Sequence, residues 1–381
     1  MTRTNDPPET RGRARAASTL AVPFRSLRRV LVAIAACLAV TLAARSASAD
    51  ALEPLALGNG ERLLVVAPHP DDETIATAGL IQHVLASGGS VRVVLVTAGD
   101  GYQDAVRRIT PETPPQPHEY VAYGERRIGE AEASAETLGG GRIDVELLGF
   151  PDGGLKGLLD DHWPRSKPER SQTTGAADPP YDEARDPRLP YSGANLRAEL
   201  TRILRETRPT VVALPDPVDI HPDHSAAGIF TLLALEDWQR SSGRARTTTP
   251  ASPRLLAYLV HWPNWPSGWM EWNPSPGELA STSIEPPPKI PAREVTVRSL
   301  ALDDSQRGQK RAALDRYSSQ LAISPAFLNA FVRTNELFFE LTPQVVGSVV
   351  AHFPWAVPNR SVEPTRHARA GSTKREDVRA R

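Results

Sequence analysis

Cysteine is nearly absent: Cys37 is the only one in 381 residues. That excludes an intramolecular disulfide and any thiolate cluster, so a metal site here must be built from imidazole and carboxylate. Charge of one sign is missing too. Forty-four Lys and Arg against 45 Asp and Glu leave a formal net charge of −1, and away from the two ends no basic stripe points to a nucleic-acid partner. No apolar run reaches the roughly 20 residues of a stable membrane span. No internal repeat is present, which excludes a solenoid or propeller. Proline, in contrast, is abundant at 36 residues and gathers in a few stretches, the mark of long loops around a body. A hydrophobic fraction of 40% is enough for a packed core.

The two ends read differently from the middle. Arg25, Arg28 and Arg29 precede an apolar run from Val30 to about Ala44, followed by Ala47-Ser48-Ala49 before Asp50. That order is the layout of a secretory signal peptide. It predicts a leader over residues 1–49 cleaved after Ala49 and a secreted or extracytoplasmic protein, with a retained N-terminal anchor as the competing reading. Those residues hold eight Arg and two acids, so their removal would leave a net charge of about −7. Residues 357–381 are Arg-rich and lack apolar periodicity, which predicts a disordered basic tail.

From Arg62 short apolar runs alternate with longer helix-like segments. Residues 63–67, 91–96, 145–148, 210–214 and 255–260 read as strands. Residues 72–86, 119–138, 195–206 and 223–238 read as helices, with Gly88-Gly89 and Gly139-Gly140-Gly141 ending the first two. This alternation predicts an α/β fold with a largely parallel sheet. A strand over 294–302 and helices over 303–321 and 325–340 would complete one domain spanning 50–345. Two stretches break the rhythm, about 160–190 and about 262–291. Loops of that length are functional or disordered. The second carries Trp262, Trp265, Trp269 and Trp272, whose rings either stack on a sugar near a cleft or fasten the loop to the body.

The chemistry gathers in two clusters. Pro68-His69-Pro70-Asp71-Asp72-Glu73 follows the first of these strands, and His221-Pro222-Asp223-His224 follows the fourth. Parallel α/β sheets bind ligands at the carboxyl ends of their strands, so both clusters arise where such a fold builds a site. A catalytic zinc takes three protein ligands and leaves a position open for water. One His and one Asp from the first cluster with one His from the second would make that set, and the remaining Asp and His could handle protons. Helix capping by Asp71, Asp72 or Asp223 is compatible with either role.

These motifs resemble the PIG-L/LmbE-like N-acetylglucosaminyl deacetylase family. Arg127-Ile128-Gly129-Glu130, Phe150-Pro151-Asp152-Gly153-Gly154, Lys310 with Tyr317-Ser318-Ser319-Gln320, and Arg333-Thr334-Asn335-Glu336 extend the resemblance over roughly residues 60 to 340. The resemblance implies a Rossmann-like single domain with helices on both faces of the sheet and the two long loops as insertions. It implies that His69, Asp72 and His224 bind Zn²⁺, with another divalent metal as the alternative. Asp71 would be the general base, His221 would stabilise the tetrahedral intermediate and protonate the leaving amine, and Asp223 would orient a histidine. Arg127, Asp152 and His261 are candidates for substrate binding. For Arg127 a salt bridge with Glu130 or a neighbour competes, and for Asp152 a role as turn former.

The expected partner is an amino-sugar-containing substrate: a glycan, a lipid-linked sugar or a glycoconjugate that loses its N-acetyl group. A metal-dependent amidase for a larger acyl or sugar-peptide amide keeps the chemistry and changes the substrate. A non-catalytic carbohydrate-binding protein would be expected to have lost a ligand or the base, and all are present here.

Overall fold

A computed structural model describes residues 52–110, 113–244, 252–266, 280–291 and 293–356. The leader over 1–49, the tail over 357–381, Trp269 and Trp272 lie outside the described residues. Eight strands form one sheet: β1 (Glu53–Pro54), β2 (Arg62–Ala67), β3 (Ser90–Thr97), β4 (Ile143–Phe150), β5 (Val211–Pro215), β6 (Arg254–Tyr258), β7 (Val295–Ala301) and β8 (Asn335–Leu341). The order across the sheet is β1-β7-β8-β6-β5-β2-β3-β4.

The five strands from β6 to β4 are all parallel to their neighbours. Their near-continuous apolar sequences suit burial on both faces; β2 buries Leu63 to Ala67 without interruption. The chain winds outward from β2 to β3 and β4, then returns to the other side of β2 for β5 and β6. Right-handed crossovers in both directions place helices on both faces and leave a crevice between β2 and β5, the topological switch point.

Six helices among the described residues connect the parallel core. α1 (Asp72–Ala86) follows β2. α2 (Gln103–Ile109) and α3 (Pro117–Gly139) follow β3. α3 opens with a capping box between Gln116 and Glu119 and stops where Gly140 turns left-handed, as helix ends require. α4 (Leu155–Asp160) and α5 (Gly193–Thr207) lie between β4 and β5, and α6 (Pro222–Arg244) follows β5. After β7 come α7 (Asp304–Leu314), α8 (Ser318–Leu321) and α9 (Pro325–Asn329), and after β8 comes α10 (Pro343–Ala351). No helix among the described residues is long and apolar enough to cross a membrane.

The C-terminal third departs from expectation. The helix predicted over 325–340 is the short α9 followed by strand β8, which pairs antiparallel with both β6 and β7. Leu337-Phe338-Phe339 is a short apolar run, and such runs do not distinguish a buried strand from a helix by periodicity. Placement between two strands decides it. The helix predicted over 303–321 breaks at Asp315, where α7 ends and Tyr317 turns inward. The loop after α4 has no regular elements beyond one bridge from Ala184 to Leu147. Its Tyr181 and Tyr191 are nonetheless buried, their hydroxyls donating to Asp100 at 2.5 Å and to the Gly149 carbonyl at 2.9 Å.

One buried ion pair ties the C-terminal third to α1. Lys310 of α7 donates to Glu336 of β8 and to the Ile75 carbonyl, each at 2.7 Å. Glu336 in turn accepts from the backbone N–H groups of Gly79 and Leu80 at 2.8 and 2.9 Å. The Ile75 carbonyl and the Gly79 amide stand one turn apart on α1, so the ion pair docks against the side of the middle of that helix. Gly79 makes room: a Cβ there would stand 2.2 Å from Leu302 and 3.0 Å from Glu336.

Lys310→Met leaves Glu336 charged and unpaired in the core and is expected to cost about 3–5 kcal/mol in denaturant unfolding. Adding Glu336→Leu should restore most of that loss, because no unpaired charge is then left in the core. A Lys310→Met variant of unchanged stability would refute the account.

Candidate active site

The carboxyl ends of β2 and β5 lie side by side, and each is followed by one His/Asp cluster. His69 and Asp71 lead into α1, whose first residue is Asp72. Pro222, Asp223 and His224 form the first turn of α6. His69 Nδ1, Asp72 Oδ2 and His224 Nε2 stand 3.2–3.3 Å apart on all three sides of a triangle. Tetrahedral coordination with bonds of about 2.0–2.1 Å separates donors by roughly 3.3–3.4 Å, so the triangle has the dimensions of one face of such a site. Burial disfavours a charged His224, but Asp72 and Asp219 outweigh it and raise the ring to about 9. The field that favours an imidazolium here equally favours a divalent cation.

Two other groupings fall within metal-ligand reach. His221 joins His69 and His224, and Asp152 and Asp223 surround His69, with donor atoms within 4.8 Å in each set. The second set is already engaged. Asp152 accepts from the Gly101 amide at 2.6 Å, and Asp223 from the amides of Gly153 and Leu155 at 2.6 and 3.0 Å. Their remaining reach is to His69 Nε2, at 3.2 Å from Asp152 and 3.5 Å from Asp223. A carboxylate behind one ring nitrogen fixes the tautomer and turns the other nitrogen toward a metal, which favours the Nδ1 triangle. Asp223 is thus beside a histidine, and that histidine is His69. Asp152, expected on the substrate side or in a turn, backs the same ring while also lining the cleft.

Asp71 lines the same cleft as His69 and Asp72 and has a strained backbone, φ 134° and ψ −28°. For a non-glycine residue such a conformation costs on the order of 1–3 kcal/mol and persists only where neighbours enforce it. Glu73 accepts the Asp71 N–H at 3.1 Å, and Arg127 donates to the Asp71 carboxylate at 3.1 Å. Arg127 is itself buried and donates to the carbonyls of Gly99 and Pro70. Gly99 is required for that approach: its φ is +67°, and a Cβ would lie 2.1 Å from the guanidinium. The salt bridge weighed for Arg127 therefore exists, with Asp71; Glu130 instead holds Ser318 and Ser319 of α8. Burial lifts the Asp71 carboxyl to about 7 against the pull of Arg127, the range in which a carboxylate can take up a proton at neutral pH.

His221 and His261 complete the wall. The Asp223 amide donates to His221 Nδ1 at 3.3 Å, which leaves the proton of the neutral ring on Nε2. Burial, His69 and His224 hold His221 down to about 4, and burial with His224 holds His261 down to about 3. His261 stacks on Phe327 at 5.4 Å and meets His224 edge-on at 4.6 Å. The cleft these groups line measures about 390 Å³.

Asp219 went unnoticed in the sequence. Its Oδ2 lies 3.4 Å from His224 Nδ1 and accepts the amides of Val260 and His261, while its Oδ1 accepts the amide of His221. It therefore supports the outer nitrogen of one histidine and the backbone of two others. Its place two residues before His221 was the available signal. Trp262 and Trp265, weighed as sugar-stacking rings, fasten their loop instead. Their indole N–H groups donate to the carbonyls of Pro288 and Glu285, and Trp265 packs edge-on against Phe331.

Imidazole and carboxylate donors beside a second acid, at the switch point of a parallel sheet, are the arrangement of metal-assisted hydrolases as a class. Comparison with known proteins narrows the class. The sequence profile of PIG-L, GlcNAc-PI de-N-acetylase, matches residues 64–235. The 1D-myo-inositol 2-acetamido-2-deoxy-alpha-D-glucopyranoside deacetylase of Rhodococcus jostii (strain RHA1) is 30% identical over 292 residues, which cover 70% of this chain and 83% of that protein. The protein of the same name from Rhodococcus opacus (strain B4) is 30% identical over 292 residues with the same coverage. Among solved structures, N,N'-diacetylchitobiose deacetylase from Pyrococcus horikoshii is 20% identical with a TM-score of 0.43, over 79% of this chain and 88% of that one. The chain belongs to the PIG-L family and is an N-deacetylase, a hydrolase of linear amide bonds.

Asp219→Asn removes the charge behind His224, keeps one oxygen for the backbone amides and turns an NH2 toward the rest. Metal affinity, read by competition with a chromogenic chelator, is expected to fall about 10- to 100-fold; unchanged affinity would restrict Asp219 to holding the loop.

Proposed function

We propose that this N-deacetylase removes the N-acetyl group of an N-acetylglucosamine-type amino sugar, with Zn²⁺ held by His69, Asp72 and His224. The observation that carries the reading is the 3.2–3.3 Å triangle of donor atoms, with Asp71 lining the same cleft. The PIG-L match and the names of the relatives support the amino sugar. Zinc suits two imidazoles and a carboxylate with a fourth position open.

The metal, when bound, polarises the amide carbonyl and makes water nucleophilic near neutral pH. Asp71 takes the proton of the attacking water. Arg127 keeps that carboxylate aimed and in place, and Glu73 holds the backbone that presents it. His221, held neutral, stabilises charge developing on the carbonyl oxygen through its Nε2–H, and the proton that the departing amine nitrogen needs is the one Asp71 has taken from the water. Asp152 and Asp223 orient His69, and Asp219 orients His224. The catalytic domain on this reading is 50–345. Export rests on the basic cluster, apolar run and Ala47-Ser48-Ala49 ahead of Asp50.

A second reading has one observation in its favour. Ile75, Val260, Phe327 and Leu328 form an apolar wall of the cleft, which would accommodate an acyl group larger than acetyl.

Asp71→Asn is expected to retain metal and lose about 10²–10⁴ in kcat, the worth of a positioned general base. His224→Ala is expected to lose the metal itself. Full activity in Asp71→Asn would overturn the assignment of the base. Release of acetate from N-acetylglucosamine compounds, compared before and after metal removal and with Zn²⁺ restored, tests the whole reaction. Bound metal without acetate release, together with turnover of longer N-acyl sugars, would replace the deacetylase with the larger-amide reading.

A further inference from the structure

Asp100 is a buried carboxyl that the reaction above does not use. It stands between two glycines, Gly99 and Gly101, in the turn after β3. Each of its flanking peptide groups holds one arm of the site. On its N-terminal side the Gly99 carbonyl accepts from Arg127 at 2.8 Å, and Arg127 grips the Asp71 carboxylate. On its C-terminal side the Gly101 amide donates to Asp152 at 2.6 Å, and Asp152 backs His69 Nε2 at 3.2 Å. Peptide groups are planar, so rotation about the two backbone bonds of Asp100 swings both of them. Glycine on either side leaves the segment little stiffness of its own. Apart from the two arms and a bond from the Gly99 amide to Thr97 at 3.1 Å, what ties this turn to the body among the described residues is the Asp100 side chain.

That side chain is held from the insertion of about 160–190, after α4. Tyr181 donates its hydroxyl to Asp100 Oδ2 at 2.5 Å, and both residues are buried. The ring lies in a slot made by two glycines. A Cβ on Gly124 of α3 would stand 2.3 Å from its hydroxyl oxygen, and one on Gly149 of β4 would stand 3.5 Å from its ring. Just beyond Tyr181 the insertion is fastened to β4: Ala184 bridges to Leu147, and the Arg185 amide donates to the Leu147 carbonyl at 2.8 Å. Asp100 Oδ1, by contrast, is buried with no hydrogen-bond partner among the described residues. Burial and the Asp152 charge push this carboxyl up to about 7, against the Tyr181 hydrogen bond and Arg127. An acid left half-satisfied in the interior costs stability rather than adding to it. What it secures is the position of its own backbone.

We infer that Tyr181 is a positioning residue of the active site: through Asp100 it fixes the two peptide groups that keep Arg127 on Asp71 and Asp152 on His69. The inference rests on the reading above, in which Asp71 is the base and His69 a metal ligand. It gives the insertion a part in the reaction from outside the cleft, since neither Tyr181 nor Asp100 lines it. Loss of the tyrosine hydroxyl then weakens metal binding and slows turnover while substrate binding stays in place.

The test compares wild type with Tyr181→Phe, Tyr191→Phe and Asp100→Asn. It measures Zn²⁺ affinity by chelator competition, kcat and KM for acetate release from N-acetylglucosamine and N,N'-diacetylchitobiose, and stability in urea. Tyr191→Phe is the control: it removes another buried phenol hydrogen bond of the same insertion, to the Gly149 carbonyl, which reaches neither Arg127 nor Asp152. Tyr181→Phe is expected to lower Zn²⁺ affinity and kcat about tenfold each, with KM within about twofold. Asp100→Asn keeps an oxygen for the Tyr181 hydroxyl and is expected to stay within about threefold of wild type in both. Tyr191→Phe is expected to lose as much stability as Tyr181→Phe, with Zn²⁺ affinity and kcat unchanged. Unchanged affinity and kcat in Tyr181→Phe, or equal losses of both in Tyr191→Phe, overturns the positioning role and leaves the deacetylase reading standing. Wild-type protein that binds no Zn²⁺ or releases no acetate overturns that reading itself, and the inference with it.

Discussion

Lys310 and Glu336 stand at the centre of the architecture because they link three elements through the middle of α1. A buried ion pair repays its desolvation only if its remaining hydrogen-bonding capacity is satisfied. Here the helix supplies those partners, a carbonyl from Ile75 and amides from Gly79 and Leu80. The axis and height of α1 are therefore set from the side by α7 and β8. Asp71, Asp72 and Glu73 ride on the first turn of that helix, so groups at the cleft inherit their position from a contact two turns away. Tyr317, just beyond α7, reaches the same turn through its hydrogen bond to Glu73.

A second constraint is electrostatic. Four carboxylates, Asp72, Asp152, Asp219 and Asp223, crowd around His69 and His224. A cation between the two rings is what such a pocket stabilises. His221 and His261, on the outer side of the same histidines, are held neutral, and a neutral imidazole retains one N–H to donate. Asp71 differs from the other acids: burial outweighs its one arginine partner and leaves it near 7. Neighbouring acids with such different environments are how one site divides metal binding from proton transfer. The strained φ of Asp71 belongs to the same division, since an unstrained helix start would aim its carboxylate elsewhere.

The cleft's two ends are supplied by different parts of the chain. Val260 and His261 follow β6, and Phe327 and Leu328 come from α9 in the C-terminal third. The polar end comes from the turns after β3 and β4, which carry Gly101 and Asp152. Both of those segments are irregular, and buried Tyr181 of the insertion after α4 holds the first of them through Asp100. Irregular backbone on a rigid sheet is where α/β proteins vary what they bind.

Much of this was legible from residues alone. The parallel core followed from apolar runs alternating with glycine-stopped helices, and the near absence of cysteine confined any metal to imidazole and carboxylate. The clusters at His69 to Asp72 and His221 to His224 stood at strand ends, where local chemistry is visible without a fold. The strand β8 was not legible, because Leu337-Phe338-Phe339 suits a buried helix as well as a strand until β6 and β7 are in place to pair with it. Nor were the partnerships: Arg127 with Asp71 spans 56 positions, and Asp152 with His69 and Asp219 with His224 depend on which ring nitrogen faces which acid. Sequence alone determined which reactive groups the chain carries and at which ends of its strands they emerge, because both depend on residue type and short-range pattern. Only the tertiary structure decided which of them meet and in what protonation state, because those depend on strand order and on burial by distant parts of the chain.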